Sequence, residues 1–322
     1  MPQLLFPAMA AALAAIGIPL AQGEQPQNPA IAPGASSTPD ATTPVDLLKF
    51  ETDQKRMTVP VSIGAKGPYR FVIDTGAERS VVSRELAGSL NLASGRRIRV
   101  TTMTGTSDLG TFLLPEVRAG SVSPATLEAP VVEASNLGAV GMLGLDALQG
   151  HTVLIDFDKN VMEVRTATRK QMQTGPDDVI VRAKNVYGQL IVTNAHYRDR
   201  KIAVVIDTGS PISIGNTALL RRVRTEKSLG EIRMLSVTGQ YLTADYRVID
   251  QIEIAGIEFH SIPLAFAEAL PFKRFGLSDT PALMLGMDTL RLFRRVQIDF
   301  ANREVRFTLP KSAVNGAFDR PF

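Results

Sequence analysis

Two Asp-Thr-Gly triplets, Asp74-Thr75-Gly76 and Asp207-Thr208-Gly209, stand 133 residues apart. Each ends a run of apolar, strand-prone residues, YRFVI in the first case and IAVVI in the second. A strand that ends this way delivers a carboxylate onto a tight turn, because glycine admits both a sharp bend and a close neighbour. One such loop presents half a site. Two of them, related by a pseudo-twofold axis, would face Asp74 against Asp207, with the Thr75 and Thr208 hydroxyls placed to brace one loop against the other. Carboxyl groups at that separation cannot both ionise comfortably, so the pair holds one proton and is an acid and a base at once. The ionised member can take a proton from a water lying between them. The protonated member can donate to the oxygen of the carbonyl that the water attacks.

The remaining composition leaves carboxylates as the carriers of chemistry. The 322 residues include no cysteine, which excludes a thiolate nucleophile, a disulfide framework, an iron–sulfur cluster and a cysteine zinc site. The three histidines, His151, His196 and His260, belong to no HExxH motif, and no GxSxG accompanies them. Neither a metal nor a cofactor is therefore expected. The net charge of +3 is spread over short runs such as Arg96-Arg97 and Arg221-Arg222, so nucleic acid is not an expected partner.

The elements that position the two triplets recur in one order. GMLGLDAL (141–148) matches LMLGMDTL (283–290), and VLIDFDKNVMEV (153–164) matches VQIDFANREVRF (296–307). Between them, MTGT around Gly105 echoes VTGQ around Gly239. The offsets of 133, 134, 142 and 143 residues mark a duplicated unit with an insertion in the second copy, near 268–281 (EALPFKRFGLSDTP). Strand patterns dominate. A hairpin is expected around Gly-Ala-Lys-Gly-Pro (64–68) and another around Arg198-Asp199-Arg200. Short helices are expected at 85–90, at 216–223, and in LGLDAL and LGMDTL, where Asp146 and Asp288 sit as helix caps. Met142, Met284 and Met287 are expected to fill the core. The fold class is all-β in two similar lobes, 46–170 and 171–322, with the active site in the cleft between them.

The paired hydrophobic-Asp-Thr-Gly-(Ala/Ser) loops, each followed by a Met-Leu-Gly segment (142–144 and 284–286), resemble the aspartic proteases, and the half-length unit is similar to retropepsin-like domains of bacterial exported proteins. The resemblance spans about 46 to 310. It implies Asp74 and Asp207 as catalytic aspartates, supported by Thr75, Gly76, Ala77, Thr208, Gly209 and Ser210, in an endopeptidase that binds a polypeptide in extended form. It also implies that the stretches around Gly105 and Gly239 are flap hairpins closing over substrate, with Tyr241 as a stand-in for the pepsin flap tyrosine. Retroviral enzymes carry Arg after the second-motif glycine, where this chain has Leu145 and Met287. With both halves in one chain, a monomer suffices. The alternatives are a non-proteolytic peptide- or partner-binding protein on the same fold, and lobes that pair with their twins in another chain. The two loops differ at one position: Ser210 can donate its hydroxyl to Asp207, whereas Ala77 has none to offer. On that basis Asp74 is expected to carry the shared proton more often, within a pair that titrates as a unit.

The first 23 residues differ in kind. LLFPAMAAALAAIGIPL (4–20) is apolar, too short and proline-interrupted for a spanning helix, and runs into Ala21-Gln22-Gly23. It reads as a signal peptide cleaved after Gly23 or as an uncleaved anchor, and hence as export to the periplasm or medium. Residues 24–45 hold five prolines and few large apolar side chains, the composition of a flexible tether or a propeptide. No membrane span is expected in the mature body.

Overall fold

The computed structural model describes residues 47–49, 51–53, 56–124, 126–167, 174–223 and 227–310. The leader, the tether and the boundary at 170/171 expected from the sequence lie outside the described residues. Within them the chain is mostly β-strand with six short helices, as its runs of β-branched residues favour. No helix among them is long and apolar enough to cross a membrane.

The two lobes repeat one plan. In the first, the strands Arg56–Ile63 and Lys66–Ile73 form a hairpin whose turn is Gly64-Ala65. That turn is tighter than the five-residue loop expected, because Lys66, Gly67 and Pro68 already belong to the second strand. The strand Lys66–Ile73 ends at Asp74 and pairs in parallel with Gly141–Leu143, the Met-Leu-Gly segment. In the second lobe, Gln189–Tyr197 and Arg200–Ile206 form the hairpin, and Arg200–Ile206 pairs in parallel with Ala282–Leu285. The register carries Ile73 against Leu143 and Ile206 against Leu285, so each Asp-Thr-Gly turn emerges beside the glycine that closes its partner strand.

A shared sheet ties the lobes together. His151–Asp156 of the first lobe pairs antiparallel with Arg295–Asp299 of the second, with Val153 opposite Ile298 and Ile155 opposite Val296. These are the duplicated VLIDF and VQIDF segments, meeting about a local pseudo-twofold axis that passes between Leu154 and Gln297. Val153, Ile155, Val296 and Ile298 are fully buried. At ~25 cal/mol per Å² of apolar surface, such a seam contributes several kcal/mol to holding the lobes as one body. One sheet runs from Leu47–Lys49 through this seam and on across the second lobe.

Candidate active site

Each Asp-Thr-Gly loop is held by its own backbone and by the other loop. Asp74 Oδ1 accepts from the amides of Gly76 (2.8 Å) and Ala77 (2.9 Å). Asp207 Oδ1 accepts from Gly209 (3.0 Å) and Ser210 (3.2 Å) in the same way. Across the seam, the Thr75 hydroxyl donates to the Ile206 carbonyl and the Thr208 hydroxyl to the Ile73 carbonyl, both at 2.9 Å. Each hydroxyl oxygen also accepts from the opposite threonine amide, at 3.1 and 3.2 Å. Four reciprocal bonds between buried groups therefore fix the separation of the loops.

The glycines let the loops interlock. A Cβ on Gly76 would stand 2.8 Å from the Asp207 carboxyl group, and one on Gly209 would collide with the Asp74 carboxyl group. The interlocked loops bring the Asp74 and Asp207 carboxyl groups together. Burial, and then the Asp74 charge, push the Asp207 carboxyl well above the ordinary carboxylate range. Asp207 is 6% exposed, whereas Asp74 is more open to the cleft.

This corrects the expected asymmetry. The Ser210 hydroxyl donates to the Ile212 carbonyl at 2.7 Å, and only the Ser210 amide reaches Asp207. Backbone amides serve both aspartates alike, so the Ser210 hydroxyl makes no difference between them. A strand-to-turn serine satisfies its own turn carbonyl first, a local competition that composition does not reveal.

The cleft above the pair has a volume of about 220 Å³. Its floor includes Met142 and Met284, which were expected only as core. Its roof is made by two hairpins, Ala93–Thr101 with Thr106–Pro115 and Ser228–Leu235 with Tyr241–Ile254, which contribute Thr101, Thr102 and Met103 from one lobe and Leu235, Ser236 and Val237 from the other. Gly105 and Gly239 lie in the two hairpin turns, close together at the tips: a Cβ on Gly105 would come within 3.5 Å of the Gln240 side chain. Tyr241 is misplaced for a flap role. It is 54% exposed, outside the cleft lining, with the Arg233 guanidinium 4.2 Å from its ring centre.

Three groups support the loops, two of them in a way that was not foreseen. Asp146 accepts from the Ser80 amide (2.8 Å) and hydroxyl (2.7 Å), and Asp288 likewise from Ser213 (3.1 and 2.7 Å). The helices they sit in, Leu145–Leu148 and Met287–Leu290, begin at uncapped Gly144 and Gly286. The cap reading is therefore corrected: these carboxylates clamp the far ends of the Asp-Thr-Gly loops, and Asp288 also reaches a helix amide, that of Thr289. The signal available was a serine six residues beyond each dyad aspartate, Ser80 and Ser213, recurring together with Asp146 and Asp288 in the two copies. The third is the insertion. Its helix Leu270–Arg274 places Pro271, Arg274 and Phe275 in the cleft wall. Arg274 forks onto Glu78 of the first loop (2.5 and 2.7 Å), and the Leu270 amide reaches the Met103 carbonyl in the roof (3.3 Å). Among the described residues, no cluster of His, Asp and Glu is arranged to hold a metal ion.

Two family models match the chain. The gag-polyprotein putative aspartyl protease family matches residues 59–150, which contain Asp74, and the Aspartyl protease family matches residues 193–289, which contain Asp207. No curated protein matches it.

Proposed function

This chain belongs with the retropepsin-like aspartic proteases, carrying two such domains in tandem, and from that premise we propose that it is a single-chain aspartic endopeptidase whose catalytic pair is Asp74 and Asp207. The observation that carries the reading is the interlocking of the two loops, which brings both carboxyl groups into the lining of one cleft. An extended polypeptide lies between that floor and the two roof hairpins, adding its backbone as a strand.

The division of labour follows from burial. Asp74, the more open member, is the ionised base and takes a proton from the water that attacks the peptide carbonyl carbon. Asp207, held neutral, donates its proton to the carbonyl oxygen, and a gem-diol forms without free charge on the oxygen. Collapse reverses the roles: Asp74 passes its proton to the departing nitrogen, and Asp207 recovers one from the diol. The pair ends as it began, with one peptide bond hydrolysed by one water and no external acid, metal or cofactor.

Digestion of a peptide library tests this. The parent chain should cleave, and both Asp74→Asn and Asp207→Asn should lose at least ~10²–10⁴-fold in kcat/KM while keeping the parent's circular dichroism. A parent that binds peptides without cutting any would instead identify a binding protein on this fold.

A further inference from the structure

The cleft is chemically lopsided although its backbone is symmetric. Arg79 and Ile212 occupy equivalent positions, five residues beyond each dyad aspartate. Their loops are held alike: the amides of Leu145 and Asp146 donate to the Ala77 and Glu78 carbonyls, and those of Met287 and Asp288 to the Ser210 and Pro211 carbonyls. Gly144 lies directly under the Arg79 carbonyl, as Gly286 does under that of Ile212. The difference is in the side chains. On the first lobe's side the cleft is lined by Glu78, Arg79, Arg99 and Arg274, while the second lobe's loop and hairpin supply Ser210, Pro211, Leu235, Ser236 and Val237.

Two of those three guanidinium groups are engaged. Arg274 is held in a fork by Glu78, and Arg99 pairs with Asp108 at 3.2 Å. Arg79 is exposed and, among the described residues, has no carboxylate within ion-pair distance. Its root is rigid, because the Ser80 amide and hydroxyl are clamped by Asp146. Glu128 and Asp146 feel its charge without closing an ion pair on it, so an exposed guanidinium on a fixed loop at the wall of a peptide-sized cleft has its fork available to a carboxylate.

We propose that Arg79 determines specificity by pairing with a carboxylate of the bound peptide on the first lobe's side of the reacting bond. This rests on the proteolytic reading above. An acidic side chain and a free C-terminus supply the same group.

The test separates this inference from the hydrolytic one. Labelled decapeptides with one Glu walked along an Ala/Leu background, their Gln counterparts, and C-terminally amidated versions of each are titrated by fluorescence anisotropy against the full chain carrying Asp207→Asn. The expected result is that one Glu position, or the free terminus, binds about tenfold tighter than its neutral counterpart. That preference should vanish with Arg79→Gln and turn towards a Lys peptide with Arg79→Glu. The amidated peptides tell the two sources apart. Equal affinities for charged and neutral peptides, a preference that survives Arg79→Gln, or no binding of any peptide would overturn the proposal. The same peptides are then offered to the parent chain. Selective binding without cleavage would leave Arg79 its role and remove the hydrolytic function, whereas cleavage indifferent to Arg79 would do the reverse.

Discussion

Asp74 and Asp207 receive the same pair of backbone hydrogen bonds and differ in how much solvent reaches them. Burial holds the Asp207 carboxyl above the ordinary carboxylate range. That has a consequence for stability. Between the ordinary carboxylate range and the raised value of Asp207, the folded state binds a proton that the unfolded chain has released. Stability from this group is complete at acid pH and falls as pH rises through that window, by up to ~1.36 kcal/mol per pH unit. Denaturant unfolding across the window should show this slope reduced in Asp207→Asn, and an unchanged slope would contradict the assignment. A second residue-scale expectation concerns Ser213, whose hydroxyl meets Asp288, Thr289 and the Gly286 amide. Ser213→Ala leaves those groups short of a partner and should cost about 1–3 kcal/mol in urea unfolding. The pairing of Asp74 with Asp207 was legible from Asp-Thr-Gly in duplicate. The direction of the proton was not, because it depends on relative burial and on where Ser210 sends its hydroxyl, and neither is written in the tripeptide.

At the scale of elements, the insertion does more than line the cleft. Its place in the second copy could be read from the shift in repeat offsets, but not what it packs against. The structure makes it part of the core. Phe272 is fully buried, and the Asn216 side-chain amide is held by the Leu277 and Thr280 carbonyls. Excising 268–281 should therefore destabilise the chain by at least ~3–5 kcal/mol, the cost of losing one buried Phe. The cleft-facing latch can be examined more gently. Glu78 and Arg274 are partly exposed, so Glu78→Gln should change stability by no more than ~1 kcal/mol. It frees the wall where Arg274 stands, and the KM of peptide cleavage should shift with little change in melting temperature. The clamps at Asp146 and Asp288 escaped the sequence reading for a related reason. A carboxylate in a helix's first turn has a local use as a cap, and only the tertiary approach of Ser80 and Ser213 gives it another.

For the whole molecule, the duplication predicted two alike lobes, and the family matches and the strand plan agree. What the repeat could not indicate is that the lobes share a sheet, through the antiparallel pairing of His151–Asp156 with Arg295–Asp299. Each half contributes one aspartate and one side of that seam, so neither half is complete alone. The account therefore stands on both aspartates coming from one chain, and mixing two inactive chains tests it most directly. Asp74→Asn and Asp207→Asn chains, purified separately and combined in equal amounts, should remain as inactive as either alone, while the parent cleaves peptide at the mass of a single chain. Recovery of activity in the mixture would mean that the site is assembled between chains, and would contradict the account.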